Sequence, residues 1–85
     1  MKIERDSKKG MTTLRLIGRL QAQDLGELKK EIQASGADRV CLKEVSLVDI
    51  DVVQFITGCE SRGISIVNCS AYIREWMGRE RQRKD

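Results

Sequence analysis

The sequence contains no histidine and no proline, and only 4% of its residues are aromatic. Without histidine, neither a Ser-His nor a Cys-His catalytic pair can form, and zinc loses its usual nitrogen ligand. Neither a G-x-G-x-x-G segment nor a P-loop occurs, so no glycine-rich phosphate-binding loop is evident. We therefore expect a protein that is not an enzyme and that holds neither a cofactor nor a metal ion.

Cysteine is also scarce, with Cys41, Cys59 and Cys69 widely spaced along the chain. An odd count argues against a disulfide framework, and no C-x-x-C pair is present to begin a thiolate metal site. Each cysteine lies beside apolar residues, which predicts three small buried side chains. The first residues lack the apolar core of a signal peptide, and no apolar run approaches membrane-spanning length. We expect a cytoplasmic protein with no segment inserted in a membrane.

The 85 residues are enough for one domain, spanning residues 1–85, and 34% of them are charged. The net charge of +3 is uneven, with residues 1–20 contributing +4 and residues 61–85 contributing +3. Residues 80–85 form a charged tail, but acids interrupt it and it holds no aromatic residue. This favours a solvated helix end over a nucleic-acid-binding patch, and we expect no nucleic-acid partner.

The first part of the chain predicts two antiparallel strands and a helix. Residues 11–17 alternate apolar and polar side chains, and residues 2–6 can pair with them through a polar turn at 7–10. Residues 21–35 then predict an amphipathic helix, which Gly36 ends. The apolar positions of this helix are Ala22, Leu25, Leu28 and Ile32.

The next unit predicts a strand, a loop and a second helix. Residues 39–42 are short and apolar, as a buried parallel strand should be, and residues 44–48 follow as a loop. Asp49 can cap the second helix, which ends before Gly63. One side of this helix carries Val52, Val53, Ile56 and Cys59.

Residues 64–67 predict a further short strand, and Ser70 can cap a last helix. Helical spacing places Ile73, Trp76 and Met77 inward. The same spacing directs Tyr72, Arg74 and Glu75 outward, as a surface suited to protein contacts.

The predicted order is β-β-α-β-α-β-α, in the α/β class. The strand-helix-strand unit over residues 40–67 should form a right-handed crossover with parallel strands. We expect a small mixed sheet of about four strands, with helices covering at least one face.

Asp49, Ile50 and Asp51 lie between a buried strand and the second helix, so they should flank the carboxyl end of the sheet, where ligands of open α/β sheets bind. One aspartate is enough to cap the helix, which leaves Asp51 available for an outside contact. Both acids can equally serve only the helix terminus, whose dipole favours negative charge, or act as an acid/base pair.

The order of these segments resembles the domain shared by sulfate transporters and anti-sigma factor antagonists (STAS). The resemblance is carried by Leu-Arg-Leu-Ile-Gly-Arg-Leu at 14–20, by residues 40–42 and 45–49, and by residues 63–69 before the final helix. It extends over about residues 12–79 and implies a STAS-like fold without a catalytic centre.

In anti-sigma factor antagonists, an Asp-Ser-Ser/Thr-Gly segment begins the second helix, and a partner kinase phosphorylates its second hydroxyl residue. On this chain the resemblance places the Asp at Asp49, the first Ser at Ile50, the phosphoacceptor at Asp51 and the Gly at Val52. Only Asp49 matches. Asp51 therefore supplies a fixed charge of about −1, where phosphoserine would carry about −1.5 to −2.

The resemblance implies a protein-binding module whose partner is an anti-sigma factor or another kinase-fold regulator. The alternative is an accessory subunit bound to the ATPase of an ABC-type membrane transporter, and a homodimer is compatible with either. The expected partner-binding residues are Ser46, Leu47, Asp49, Ile50 and Asp51.

Overall fold

The computed structural model describes residues 1–82 and confirms the predicted α/β class and element order. Residues 83–85, the end of the predicted charged tail, lie outside the described residues. The strands are β1 (Lys2–Lys8), β2 (Met11–Leu20), β3 (Arg39–Val48) and β4 (Ser65–Val67). The helices are α1 (Leu25–Ser35), α2 (Ile50–Ser61) and α3 (Ala71–Gln82), with a short 3-10 turn at Ala22–Asp24.

The four strands form one mixed sheet in the order β1-β2-β3-β4. β1 pairs antiparallel with β2, whereas β2, β3 and β4 are mutually parallel. Both parallel connections step in the same direction along the sheet, so right-handed crossovers place α1 and α2 on the same face. α3 packs against α2 on this face. Within residues 1–82, no helix covers the opposite face, which we call the open face.

The β1–β2 turn is shorter than predicted. The prediction of a turn over 7–10 was wrong, because Ser7 and Lys8 continue β1 and only Lys9 and Gly10 form the loop. Their φ angles of 52° and 78° are both positive. A two-residue type I′ hairpin turn, whose twist matches that of the flanking strands, requires this.

The first helix also begins later than predicted. α1 starts at Leu25, and Ala22, expected on its apolar face, is exposed in the preceding 3-10 turn. Leu28 is buried, while Leu25 and Ile32 pack at the edge of the core. Gly36 ends the helix as predicted, in the left-handed conformation, with its N–H donating to the Ile32 carbonyl.

The loop predicted over residues 44–48 is in fact part of β3, and irregular pairing makes this extension possible. Ten residues of β3, 39–48, run beside eight of β2, 13–20, with register shifts at Arg15/Ile17 and Gly18/Arg19. Gly18 has a φ of 96°, which residues with a side chain rarely adopt. Because of the second shift, Val48 is buried beneath the helices while Leu47 lies on the open face.

A single apolar core fills the space between the sheet and the three helices. The predicted inward residues of α2 are all buried, as are Ile73 and Met77 of α3. Trp76 is only half-buried and packs at the edge of the core, so its prediction as an inward residue was only partly right. The largest fully buried side chains are Leu14, Leu16, Leu20, Leu28, Leu42, Ile56, Ile73 and Met77.

The cysteines are free thiols, but not all are core residues. Cys59 is buried in the core, and Cys41 is buried outside it, with its sulfur 3.3 Å from the Asn68 amide nitrogen. Cys69 is only half-buried, so the prediction of three buried cysteines holds for two of them. Burial raises the pKa of the Cys59 and Cys69 thiols.

Glu60 joins α2 to α3 through two arginines. Arg74 Nη1 donates to Glu60 Oε2 at 2.7 Å, and Arg81 donates to the other oxygen. Arg74 also donates to the Ile66 carbonyl at 2.9 Å, which connects α3 to β4. Partial burial of Glu60 raises its pKa, but the hydrogen bonds and charges of both arginines outweigh this, and the net pKa is lowered.

Replacing Met77 by alanine should leave a cavity where α3 meets the sheet. We expect Met77→Ala to lower the free energy of unfolding by about 2–5 kcal/mol, because the side chain is fully buried. Urea denaturation of Met77→Ala and of Glu75→Ala, an exposed change on the same helix, measures the difference. Equal midpoints for the two variants would contradict the packing of α3 described above.

The Glu60 cluster should make stability depend on pH. Because the folded-state pKa of Glu60 lies below its unfolded value, its contribution is complete above the unfolded pKa and is lost as the pH falls through the folded one. Wild type should therefore exceed Glu60→Gln in unfolding free energy at neutral pH, with the gap closing in acid. Glu75→Gln, which breaks the exposed pair with Arg79, should give a smaller gap. A gap for Glu60→Gln that stays constant down to strongly acidic pH would contradict this account.

Candidate functional site

The predicted site residues gather where β2 and β3 end together. The last paired residues of these parallel strands are Leu20 and Val48, so the segments that follow both strands emerge at the same edge. We call the surface formed there the carboxyl-edge surface. It comprises Arg19, Ser46, Leu47, Asp49, Ile50 and Asp51.

Asp49 connects two parts of the backbone at this edge. Its Oδ1 accepts a hydrogen bond from the Val52 N–H at 3.0 Å, which makes it the predicted N-cap of α2. Its Oδ2 accepts from the Ala22 N–H at 2.8 Å, in the 3-10 turn that follows β2. Both carboxylate oxygens are therefore engaged by the protein itself. Asp49 therefore has a positioning role at this edge, and its half-buried side chain remains a predicted partner-binding residue.

A second aspartate stabilises the neighbouring turn. Asp24 Oδ2 accepts from the Gln21 N–H at 2.9 Å and closes a capping box around the 3-10 turn. Gln23 Nε2 also donates to Gln21 Oε1 at 3.1 Å. Two carboxylates thus hold the segment facing the start of α2, which gives the carboxyl-edge surface a defined backbone shape.

Asp51 has a different environment from Asp49. It lies in the first turn of α2 and is exposed, and its carboxylate forms no hydrogen bond or ion pair with another residue of 1–82. The partial positive charge of the helix N-terminus stabilises a carboxylate at this position. Asp49 and Asp51 share no hydrogen bond, so the geometry separates a positioning aspartate from a displayed one.

Two large apolar side chains are exposed beside these acids. Among the described residues the exposed large hydrophobics are Met11, Leu47, Ile50 and Tyr72. Leu47 is 50% exposed and Ile50 is 37% exposed, and both belong to the carboxyl-edge surface. After the second register shift, in which Ser46 is the additional, exposed residue, Leu47 faces outward opposite Arg19.

Sequence reasoning missed Arg19 as a member of this surface. It pairs in register with Leu47 and is exposed, so a cation lies beside the exposed leucine. Arg19 follows Gly18 directly, but a glycine in a strand does not reveal which residue of the partner strand it will face. Only the register of the bulged strand shows the neighbour.

The hydroxyl groups of α2 are far from its N-terminus. Thr57 Oγ1 donates to the Val53 carbonyl at 2.7 Å, and Ser61 Oγ donates to the Thr57 carbonyl at 3.3 Å. Both are therefore bonded within the helix, in its later turns. Ser46 has the exposed hydroxyl of the carboxyl-edge surface, and it belongs to β3 and not to α2.

The predicted outward face of α3 is exposed, but part of it is already engaged. Arg74 is bound to Glu60 and to the Ile66 carbonyl, and Glu75 pairs with Arg79 at 2.5 Å. Tyr72 remains 51% exposed and lies against Trp76, with ring centroids 6.3 Å apart. This face therefore offers one aromatic pair rather than the Tyr–Arg surface expected.

Among residues 1–82, no three cysteine, aspartate or glutamate side chains converge as a metal centre requires. No helix in this part of the chain is long and apolar enough to cross a membrane.

The chain matches no protein-family model, and no curated protein matches it significantly. The resemblance to STAS domains therefore rests on the order of the elements and on the sequence segments named above.

Removing the Asp49 carboxylate should weaken the carboxyl edge without altering the core. Asp49→Ala leaves the Val52 and Ala22 N–H groups without their acceptor, and we expect unfolding free energy to fall by about 2 kcal/mol. Asp51→Ala removes only a helix-end charge and should cost about 0.5 kcal/mol. Denaturant melts of both variants make the comparison. Equal losses would show that Asp49 does not have the positioning role assigned to it.

Proposed function

We propose that this protein is a non-catalytic STAS-like module that binds another protein through its carboxyl-edge surface. The observation that carries the proposal is the exposure of Leu47 and Ile50 on either side of Asp49, whose own carboxylate is fully engaged. Half of the surface of Leu47 stays in contact with water in the monomer, although the side chain is large and apolar. It is suited to a pocket on a partner.

The surroundings of these two side chains fit a protein interface. Protein interfaces combine an apolar centre with a polar rim, and here Arg19 and Asp51 lie beside Leu47 and Ile50. The Asp49 and Asp24 hydrogen bonds hold the backbone in place before binding, which reduces the entropy lost on association. Both features favour a docking surface with one preferred partner.

The partner class follows from the resemblance to anti-sigma factor antagonists. We propose an anti-sigma factor or a related kinase-fold regulator, bound without a phosphorylation switch, because Asp51 stands where the antagonists carry the modified hydroxyl. Its fixed charge acts on the partner permanently and more weakly than a phosphate. The second candidate remains an accessory subunit of an ABC transporter ATPase, localised with it in the cytoplasm.

A photo-crosslinking residue at position 47 tests both the surface and the partner. Tyr72 is the matched control position, because its 51% exposure is close to the 50% of Leu47 while it lies on α3. When the variants are irradiated in cells of the native host, we expect the residue at position 47 to crosslink to one specific protein. The residue at position 72 should give no crosslinked product. Mass spectrometry that identifies a serine-kinase-type regulator supports the first candidate, and an ABC ATPase supports the second. Adducts at both positions, or only at position 72, would contradict the proposed surface.

Titration against the purified partner then measures the contribution of each side chain. Leu47→Asp should weaken binding by about 30-fold, as expected for an apolar hot spot of about 2 kcal/mol. Asp51→Ser should strengthen binding if the carboxylate mimics a phosphate that repels the partner, and weaken it if the carboxylate is a direct contact. Unchanged affinity in both variants would place the interface elsewhere.

A further inference from the structure

A groove separates α1 from α2 at the end of the molecule opposite the carboxyl-edge surface. Both helices run back from the carboxyl edge toward the amino ends of β3 and β4, and they do not pack closely on one another. The groove has a volume of about 460 Å³, within the range of roughly 300–1,000 Å³ typical of small-molecule sites. It is lined by Lys29, Ile32, Gln33, Phe55, Arg62 and Ile64.

The floor of this groove is apolar. Ile32, Phe55 and Ile64 are half-buried and pack against the core, so each presents its remaining surface to the groove. They come from α1, from α2 and from the residue before β4, which are separate elements brought together by the fold. A hydrocarbon chain placed against them would remove this apolar surface from water.

The rim of the groove is cationic. Lys29 Nζ lies 5.6 Å from the centroid of the Phe55 ring, so a cation–π contact holds the ammonium group over the floor. The guanidinium group of Arg62 makes only one long contact, in which Nη2 donates to the Cys59 sulfur at 3.8 Å. Within residues 1–82, neither cation forms an ion pair with a carboxylate, and no lining residue is acidic. Two positive charges therefore face the groove, and no described carboxylate is paired with either of them.

We propose that this groove binds an amphiphilic anion, a fatty carboxylate whose chain lies on Ile32, Phe55 and Ile64 and whose headgroup is held by the cationic rim to which Lys29 and Arg62 belong. Arginine and lysine form their strongest hydrogen bonds with such anionic oxygens. Gln33 adds an amide at the same rim. The inference is independent of protein binding at the carboxyl-edge surface, because the two sites share no residue.

Other occupants fit the groove less well. A ligand with a cationic headgroup would meet two positive charges, and a nucleic acid would require a longer row of cations. A small molecule with one anionic end matches both the extent and the charge of the groove.

The test is a titration of the isotope-labelled protein with octanoate, followed by NMR. We expect saturable binding below the micellar concentration, with shifts at Ile32, Phe55 and Ile64. Octan-1-ol and acetate, which lack the charge and the chain respectively, should bind at least about tenfold more weakly, and octyltrimethylammonium should not bind there. Chemical-shift changes centred on Leu47 and Ile50, or equal affinities for octanoate and octan-1-ol, would overturn the proposal.

Paired variants test the cationic rim. K29Q/R62Q removes both charges facing the groove and should weaken octanoate binding by about tenfold. K30Q/R39Q removes one lysine and one arginine that are exposed outside the groove and should leave affinity within about twofold. All four positions are exposed, so the spectra of both variants should confirm an unchanged fold. If octanoate binding weakened equally in both variants, the effect would come from net charge alone, and the proposed site would be wrong.

Discussion

Leu14, Leu16 and Leu20 alternate along β2 and are all buried, and the need to cover this one face constrains the rest of the fold. The parallel connections bring α1 and α2 to the same side of the sheet. α3 completes the cover through Ile73 and Met77. Because all three helices are used on one face, the opposite face has no helical cover within residues 1–82. The two proposed sites lie at opposite ends of the parallel strands.

The carboxyl-edge surface arises from an irregularity in that sheet. With regular pairing along all ten residues of β3, alternation would turn Val45 away from the core and direct Glu44 and Ser46 toward it. The first register shift turns Val45 toward the core, and the second, beside Gly18, restores the alternation so that Val48 is buried and Leu47 faces outward. Asp49 then fixes the backbone where the bulged strand ends. Core packing and the displayed surface therefore depend on the same local geometry.

The two proposed sites differ in how they are built. The carboxyl-edge surface presents exposed apolar side chains beside one displayed carboxylate, which suits a macromolecular partner. The groove between α1 and α2 is concave, with an apolar floor and a cationic rim, which suits a small anion. They lie at opposite ends of the parallel strands and share no residue. Occupation of one leaves the side chains of the other free.

Local patterns in the sequence were enough to determine the α/β class, the order of the elements, the caps at Asp49 and Gly36, and the buried side of α2. Each of these depends on residues within a few positions of one another, through helical periodicity, alternation or a single capping hydrogen bond. The length of β3, the neighbour of Leu47 and the groove beside Phe55 depend on contacts between residues distant in sequence. Register, bulges and the spacing of helices are set only when the strands pair and the core closes, so the tertiary structure alone decided them.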